Sequence, residues 1–131
     1  MAIRVVRLGT PRAPDEGLRL GTVRRPPRGV PKSEHASRDF YDVWLPDLAP
    51  SEALLKQALA ADDERAWRAF VKRYRAEMKK PEAARLLTLL SALSRQTNFS
   101  VGCYCADESH CHRSVLRELL GEHGAVIAQL A

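Results

Sequence analysis

No run of 18 apolar residues occurs in the 131-residue chain, which excludes a helical membrane span. The amino terminus, MAIRVVRLGT, lacks a long apolar core and carries charges among its apolar residues, so it reads as a strand rather than a signal peptide. Cysteine is scarce: Cys103, Cys105 and Cys111 are the only three, all within nine residues. A secreted disulfide framework spreads an even number along the chain. A small local cluster fits thiols kept reduced in a cytosol, so the expected location is cytoplasmic. There is no internal repeat and no low-complexity tract. What is present is a globular composition, 45% apolar, at a length that fits a single domain over 1–131.

The net charge of +5 is unevenly placed. Residues 1–38 carry +6, from Arg4, Arg7, Arg12, Arg19, Arg24, Arg25, Arg28, Lys32 and Arg38 against Asp15, Glu16 and Glu34; the remaining residues carry −1. A basic third suggests an anionic partner there, set against the plainer reading of a solvated, arginine-rich loop.

In chain order, Ala2–Leu8 and Leu18–Val23 read as strands that could pair with each other. Residues 24–38, RRPPRGVPKSEHASR, hold three prolines and a glycine and have no apolar face. They form a long basic loop that either folds over an anionic ligand or is simply mobile. Phe40–Leu45 is a short extended segment. Ser51 caps a helix over 52–60, and Asp62 or Asp63 caps a second one running to about Lys79. That helix places Trp67, Phe70, Val71, Tyr74 and Met78 on one stripe, which reads as core rather than as a base-stacking surface. Pro81 opens a third helix to Leu93. An apolar run from Phe99 to Cys105 then feeds a polar turn, and a helix with Val115, Leu116, Leu119 and Leu120 at helical spacing begins near Cys111. Gly124 is a C-cap and Ala125–Leu130 a final buried strand. The expected fold is α/β: a single domain with a small, mostly parallel sheet flanked by helices and a C-terminal β-α-β unit.

The chemistry-bearing residues gather at the strand-turn-helix from Cys103 to Arg113. Strand alternation puts Cys103 and Cys105 on one face. Cys111, His112 and Arg113 fall in the first helical turn, where unpaired N–H groups and the helix dipole favour an anion and lower a thiol pKa. One reading is an oxyanion or phosphate pocket. Arg113 supplies a bidentate fork, Arg24 and Arg28 a lid, and Cys105 and Asp107 further ligand contacts. Cys103 or Cys111 is then the nucleophile, with His110 or His112 as acid/base. The low-molecular-weight and dual-specificity phosphatases separate their Cys and Arg by five residues, whereas Cys105 and Arg113 are separated by seven and Cys103 and Arg113 by nine. A second reading is a zinc site of three cysteines with His110 or His112, although the spacing is not that of a standard finger or ribbon. A third is structural: Cys103 is a small buried hydrophobe, and Arg113 braces the turn against Asp107 or Glu108.

The run CYCADESHCHRSVLREL resembles the signature of the YeaO-like, domain-of-unknown-function 488 family of small bacterial proteins. PPRGVPK (26–32), WLPDLAPS (44–51) and WRAFVKRYRAEM (67–78) are similar to three further family segments, in the same order. The resemblance implies an α/β fold and a bacterial cytosol, and it names no reaction. It carries the recurrent polar positions onto Arg24, Arg28, Cys103, Cys111, His112 and Arg113. Pro26 stands where relatives have tryptophan, Val23 where many have aspartate, and Cys105 where they often have a carboxylate. That last departure speaks against a three-cysteine metal site common to the family.

The residues thus point to an anionic small molecule, phosphate-bearing, as the ligand. A non-catalytic nucleic-acid-associated protein using the basic third is the alternative, and structural zinc is a second one; no cofactor and no membrane contact are expected.

Overall fold

The computed structural model describes residues 1–128. Its sheet contains β1 (Ile3–Arg7), β2 (Leu18–Gly21), β3 (Val43–Trp44) and β4 (Phe99–Cys103) in the order β1-β4-β2-β3, with every pair parallel. β4 is buried at all five residues, as a central parallel strand flanked on both sides must be. Its register pairs Val101 with Val5 on one side and Leu20 on the other. An isolated parallel bridge joins Ile127 to Ile3, so the chain returns beyond β1.

Four helices follow the edge strand and precede or follow β4: α1 (Glu52–Ala60), α2 (Glu64–Glu77), α3 (Pro81–Leu93) and α4 (His112–Glu122). Asp63 caps α2 by accepting from the Ala66 N–H at 2.7 Å, and Ser51 caps α1 through the Leu54 N–H. Ile3, Val5, Leu20, Phe99 and Val101 form one core cluster with Leu54, Phe70, Tyr74, Leu87, Leu90, Leu116 and Leu120 of the helices. The α2 stripe is core: Phe70 and Tyr74 are buried, and Trp67 and Val71 pack against the same cluster. Among the described residues no helix is long and apolar enough to cross a membrane.

The opposite face of the sheet presents Arg19 and Ser100, adjacent in the register. Arg19 is fully buried and makes a fork with Glu16, Nε and Nη2 lying 2.7 and 3.0 Å from its two carboxylate oxygens. Ser100 donates to the same carboxylate at 2.7 Å, and the remaining Arg19 nitrogen reaches the carbonyls of Thr10 and Asp39. Two residues further on, Gly21 and Gly102 pair. A Cβ on Gly102 would sit 2.6 Å from the Val6 carbonyl oxygen, and one on Gly21 would meet the Tyr41 ring.

Several expected boundaries shift. β1 and β2 do not pair with each other; β4 lies between them. The second strand stops at Gly21 and the third is only Val43–Trp44. The strand expected to reach Cys105 ends at Cys103, because its partner β1 runs out at Arg7 and the Leu8 N–H to Cys103 carbonyl bond is the last on that side. The expected final strand is the single bridge at Ile127 among the described residues, and its last positions lie outside them.

Candidate functional site

All four strands run the same way, so their carboxyl ends form one edge, where open α/β sheets bind ligands. Cys103 closes β4 there, Thr22 follows β2 and Leu8 follows β1. The turn after β4 carries a short 3-10 segment, Glu108–His110, capped by Asp107, which accepts from the Ser109 N–H at 2.9 Å and the Ser109 hydroxyl at 2.7 Å. α4 then begins without a side-chain cap, its N-cap residue being Cys111.

The early end of β4 separates the thiols. Cys103 and Cys111 are buried in a small cluster with Leu8, Val23 and Tyr41, and their sulfurs lie 2.7 Å apart. Cys105 is exposed. It lies two residues past the end of β4, so strand alternation does not set its orientation. Their protonation diverges accordingly. The neighbouring Cys103 and Cys111 thiols, with the positive surroundings of His112 and Arg113, favour the Cys105 thiolate and lower its pKa from the usual thiol value. The Cys105 thiolate, the Cys111 neighbour and burial push Cys103 up. The Cys103 hydrogen bond lowers Cys111, but the Cys105 thiolate and burial outweigh it and leave Cys111 raised to about 11.

His112 is buried, and burial pushes its pKa down. Its Nε2 lies 2.7 Å from the Thr22 carbonyl, which can only accept, so Nε2 carries the proton. Nδ1 then faces Cys111 Sγ at 3.8 Å as an unprotonated nitrogen. The Tyr74 ring sits edge-on to the imidazole with centroids 5.6 Å apart. Arg113 is 4% exposed. One of its nitrogens donates to the Cys105 carbonyl at 2.6 Å, and its Nε has no partner. It does not brace the turn through a carboxylate: Asp107 is turned to Ser109, and Glu108 pairs with Arg117 at 2.7 Å.

The basic loop is joined to this turn by one bond, from the Tyr104 hydroxyl to the Arg25 carbonyl at 2.8 Å. Its side chains go elsewhere. Arg24 donates to the carbonyls of Ala49 and Pro50, and Arg25 pairs with Glu52 at the start of α1. Arg28 is exposed and has no ion pair among the described residues. Arg4, Arg12, Arg19, Arg25 and Arg38 are each paired with a carboxylate, so much of the positive excess of the first third is compensated locally.

Cys103 Sγ, Cys111 Sγ and a ring nitrogen of His112 lie within 4.8 Å of one another, a group that could hold a metal ion. The donor types suit zinc, and the bond from His112 Nε2 to the Thr22 carbonyl would hold the ring with its other nitrogen free to coordinate. The sulfur separation does not fit as it stands. Two thiolates at about 2.3 Å from a tetrahedral ion are about 3.8 Å apart, so one sulfur would have to swing away.

Residue-pattern reasoning missed the Glu16–Arg19–Ser100 network and the cleft under the basic loop. In both, the signal is long-range pairing, which no local spacing carries.

A family model described as the active DUF488-N3 subclade, DUF488-N3a, matches residues 3–124. No curated protein and no solved structure matches the chain. The chain belongs to the DUF488 family.

Proposed function

We propose that this DUF488 protein binds a phosphate-bearing small molecule at the carboxyl edge of its sheet, with Cys105 as the nucleophile toward it. The observation that carries the reading is Arg113. A guanidinium 4% exposed, with an unpartnered Nε and with nearby Glu108 committed to Arg117, is left incompletely satisfied. An anion at the uncapped start of α4 satisfies it, since the backbone N–H groups and dipole there favour negative charge.

The roles divide by exposure. Cys105 is the accessible thiol and the one held as thiolate; Cys103 and Cys111 are buried and favour that thiolate. Buried His112 has committed its N–H to Thr22 and serves to orient the cluster. The acid/base role falls to exposed His110, which sits between Asp107 and Glu64. Arg24 and Arg25 are held at the start of α1, so the lid function is assigned to Arg28 alone.

Calorimetric titration of inorganic phosphate into wild type and Arg113→Lys tests the binding. Saturable binding in wild type, lost or weakened about tenfold in the variant, is expected; equal heats in both remove the pocket. Turnover of a generic aryl phosphate, abolished in Cys105→Ser with phosphate binding retained, tests the nucleophile.

A second reading is favoured by the three ligand atoms within 4.8 Å: a structural zinc on Cys103, Cys111 and His112. Elemental analysis of the purified protein decides it. Stoichiometric zinc would make these residues a staple and leave Cys105 and Arg113 as the pocket.

A further inference from the structure

The β2–β3 crossover, rather than the thiol turn, roofs a well-formed hollow. It is a cleft of about 460 Å³ between the 26–36 segment and the edge strand, lined by Pro26, Val30, Lys32, His35, Tyr41 and Trp44 among others. Its size falls within the about 300–1,000 Å³ of small-molecule sites, and its make-up, apolar walls with a few converging polar groups, is theirs too.

Those polar groups are specific. His35 Nε2 lies 3.1 Å from the Val30 carbonyl and so carries the ring proton, leaving Nδ1 an acceptor. Tyr41 stands edge-on to that imidazole, centroids 5.1 Å apart, with its ring seated over Gly21. Neither His35 Nδ1 nor the Tyr41 hydroxyl has a partner among the described residues. Yet among the described residues the one sealed-off side-chain polar atom without a partner is Arg113 Nε. Both atoms are therefore at least partly accessible, and their residues line the cleft. Trp44 is pinned by its indole N–H to the Val23 carbonyl at 2.8 Å, yet the residue stays 42% exposed. A fixed, half-open indole is a stacking platform for a planar ring. Lys32 lines the rim and has no ion pair among the described residues, and Asp42, the one acid there, is neutralised by Arg12 at 2.6 Å.

We infer that this cleft binds a planar heteroaromatic ring bearing an anionic group, of the nucleoside-monophosphate kind. The ring lies against Trp44, gives a hydrogen to His35 Nδ1, and its phosphate meets Lys32. A single free nucleotide, rather than a strand, matches one bounded cleft and a rim with one unpaired cation. The inference does not rest on the thiol site.

Trp44 and Trp67 are the only tryptophans, so Trp67→Phe leaves Trp44 as the sole indole reporter. In that background adenosine monophosphate should quench fluorescence saturably, while ribose 5-phosphate, which lacks the ring, should not. Lys32→Ala should weaken binding about tenfold, the usual consequence of losing a charge-assisted contact. Ala36→Phe, which fills the cleft from an exposed position without adding an indole, should abolish it with the circular dichroism unchanged. Arg113→Lys should leave it intact, separating this site from the phosphate pocket. Non-saturating quenching, equal effects of ribose 5-phosphate, or retained binding in Ala36→Phe would overturn the inference. A short single-stranded oligonucleotide binding far more tightly than the mononucleotide, with steep salt dependence, would also overturn it in favour of a nucleic-acid surface.

Discussion

Three thiols within nine residues differ because β4 stops at Cys103 and not at Cys105. Where a strand ends depends on how far its neighbours run, and β1 and β2 lie about 80 to 100 residues upstream. The cluster was legible in the sequence; which cysteine faces solvent was not. The consequence is measurable. Because the Cys103 and Cys111 thiols are the largest influence lowering Cys105, ahead of His112 and Arg113, Cys103→Ala should raise the pH midpoint of Cys105 alkylation more than Arg113→Gln does. Wild type should already be alkylated rapidly at pH 7, since a lowered pKa keeps the thiolate at pH values where an ordinary thiol, at about 8.5, is protonated. A midpoint near 8.5 in wild type would show that the thiols do not stabilise one another.

At the scale of elements the sequence was most readable where local chemistry decides. Ser51, Asp63 and Pro81 start three helices as their side chains dictate, and the 67–78 stripe buries as its spacing requires. Asp63→Ala should therefore cost about 1 kcal/mol in urea unfolding, the typical loss of an N-cap. The strands were less readable. β2 and β3 are four and two residues long, and their partners were fixed by pairing across the crossover rather than by alternation. Gly102 shows the same dependence. It looks like an interruption in an apolar strand, but a Cβ there would press within 2.6 Å of the Val6 carbonyl oxygen, a backbone atom that cannot swing aside. Gly102→Ala should lose about 1–3 kcal/mol, as overpacking of a tight site does, and a neutral result would mean that β1 and β4 can separate freely.

For the molecule as a whole, one face of the sheet is covered by helices and apolar contacts, the other around a buried ion pair. Arg19 and Glu16 were visible in the sequence only as charges in a basic third; that they meet beneath Ser100 follows from the central position of β4. Burial alone would raise the Glu16 carboxyl, but the Arg19 and Ser100 hydrogen bonds outweigh it and hold it below its ordinary value of 4.5. A carboxyl depressed on folding stabilises the protein above its unfolded value, and that contribution fades as pH falls through the folded one. Stability should thus decline on acidification below about pH 4.5. Glu16→Gln should be about 3–5 kcal/mol less stable at pH 7, as for a buried pair stripped of one partner, with the gap to wild type narrowing in acid. Replacing both residues with methionine should cost less than removing Glu16 alone.

The central claim is that an anion seats beside Arg113 within reach of the Cys105 thiolate, and competition between two alkylating reagents tests it most directly. The rates of modification at Cys105, resolved by peptide mass, are compared for anionic iodoacetate and neutral iodoacetamide, with and without inorganic phosphate. The account predicts that iodoacetate reacts faster than iodoacetamide, that phosphate protects Cys105 saturably, and that both effects vanish in Arg113→Gln. Faster reaction with iodoacetamide, unaffected by phosphate, would contradict it.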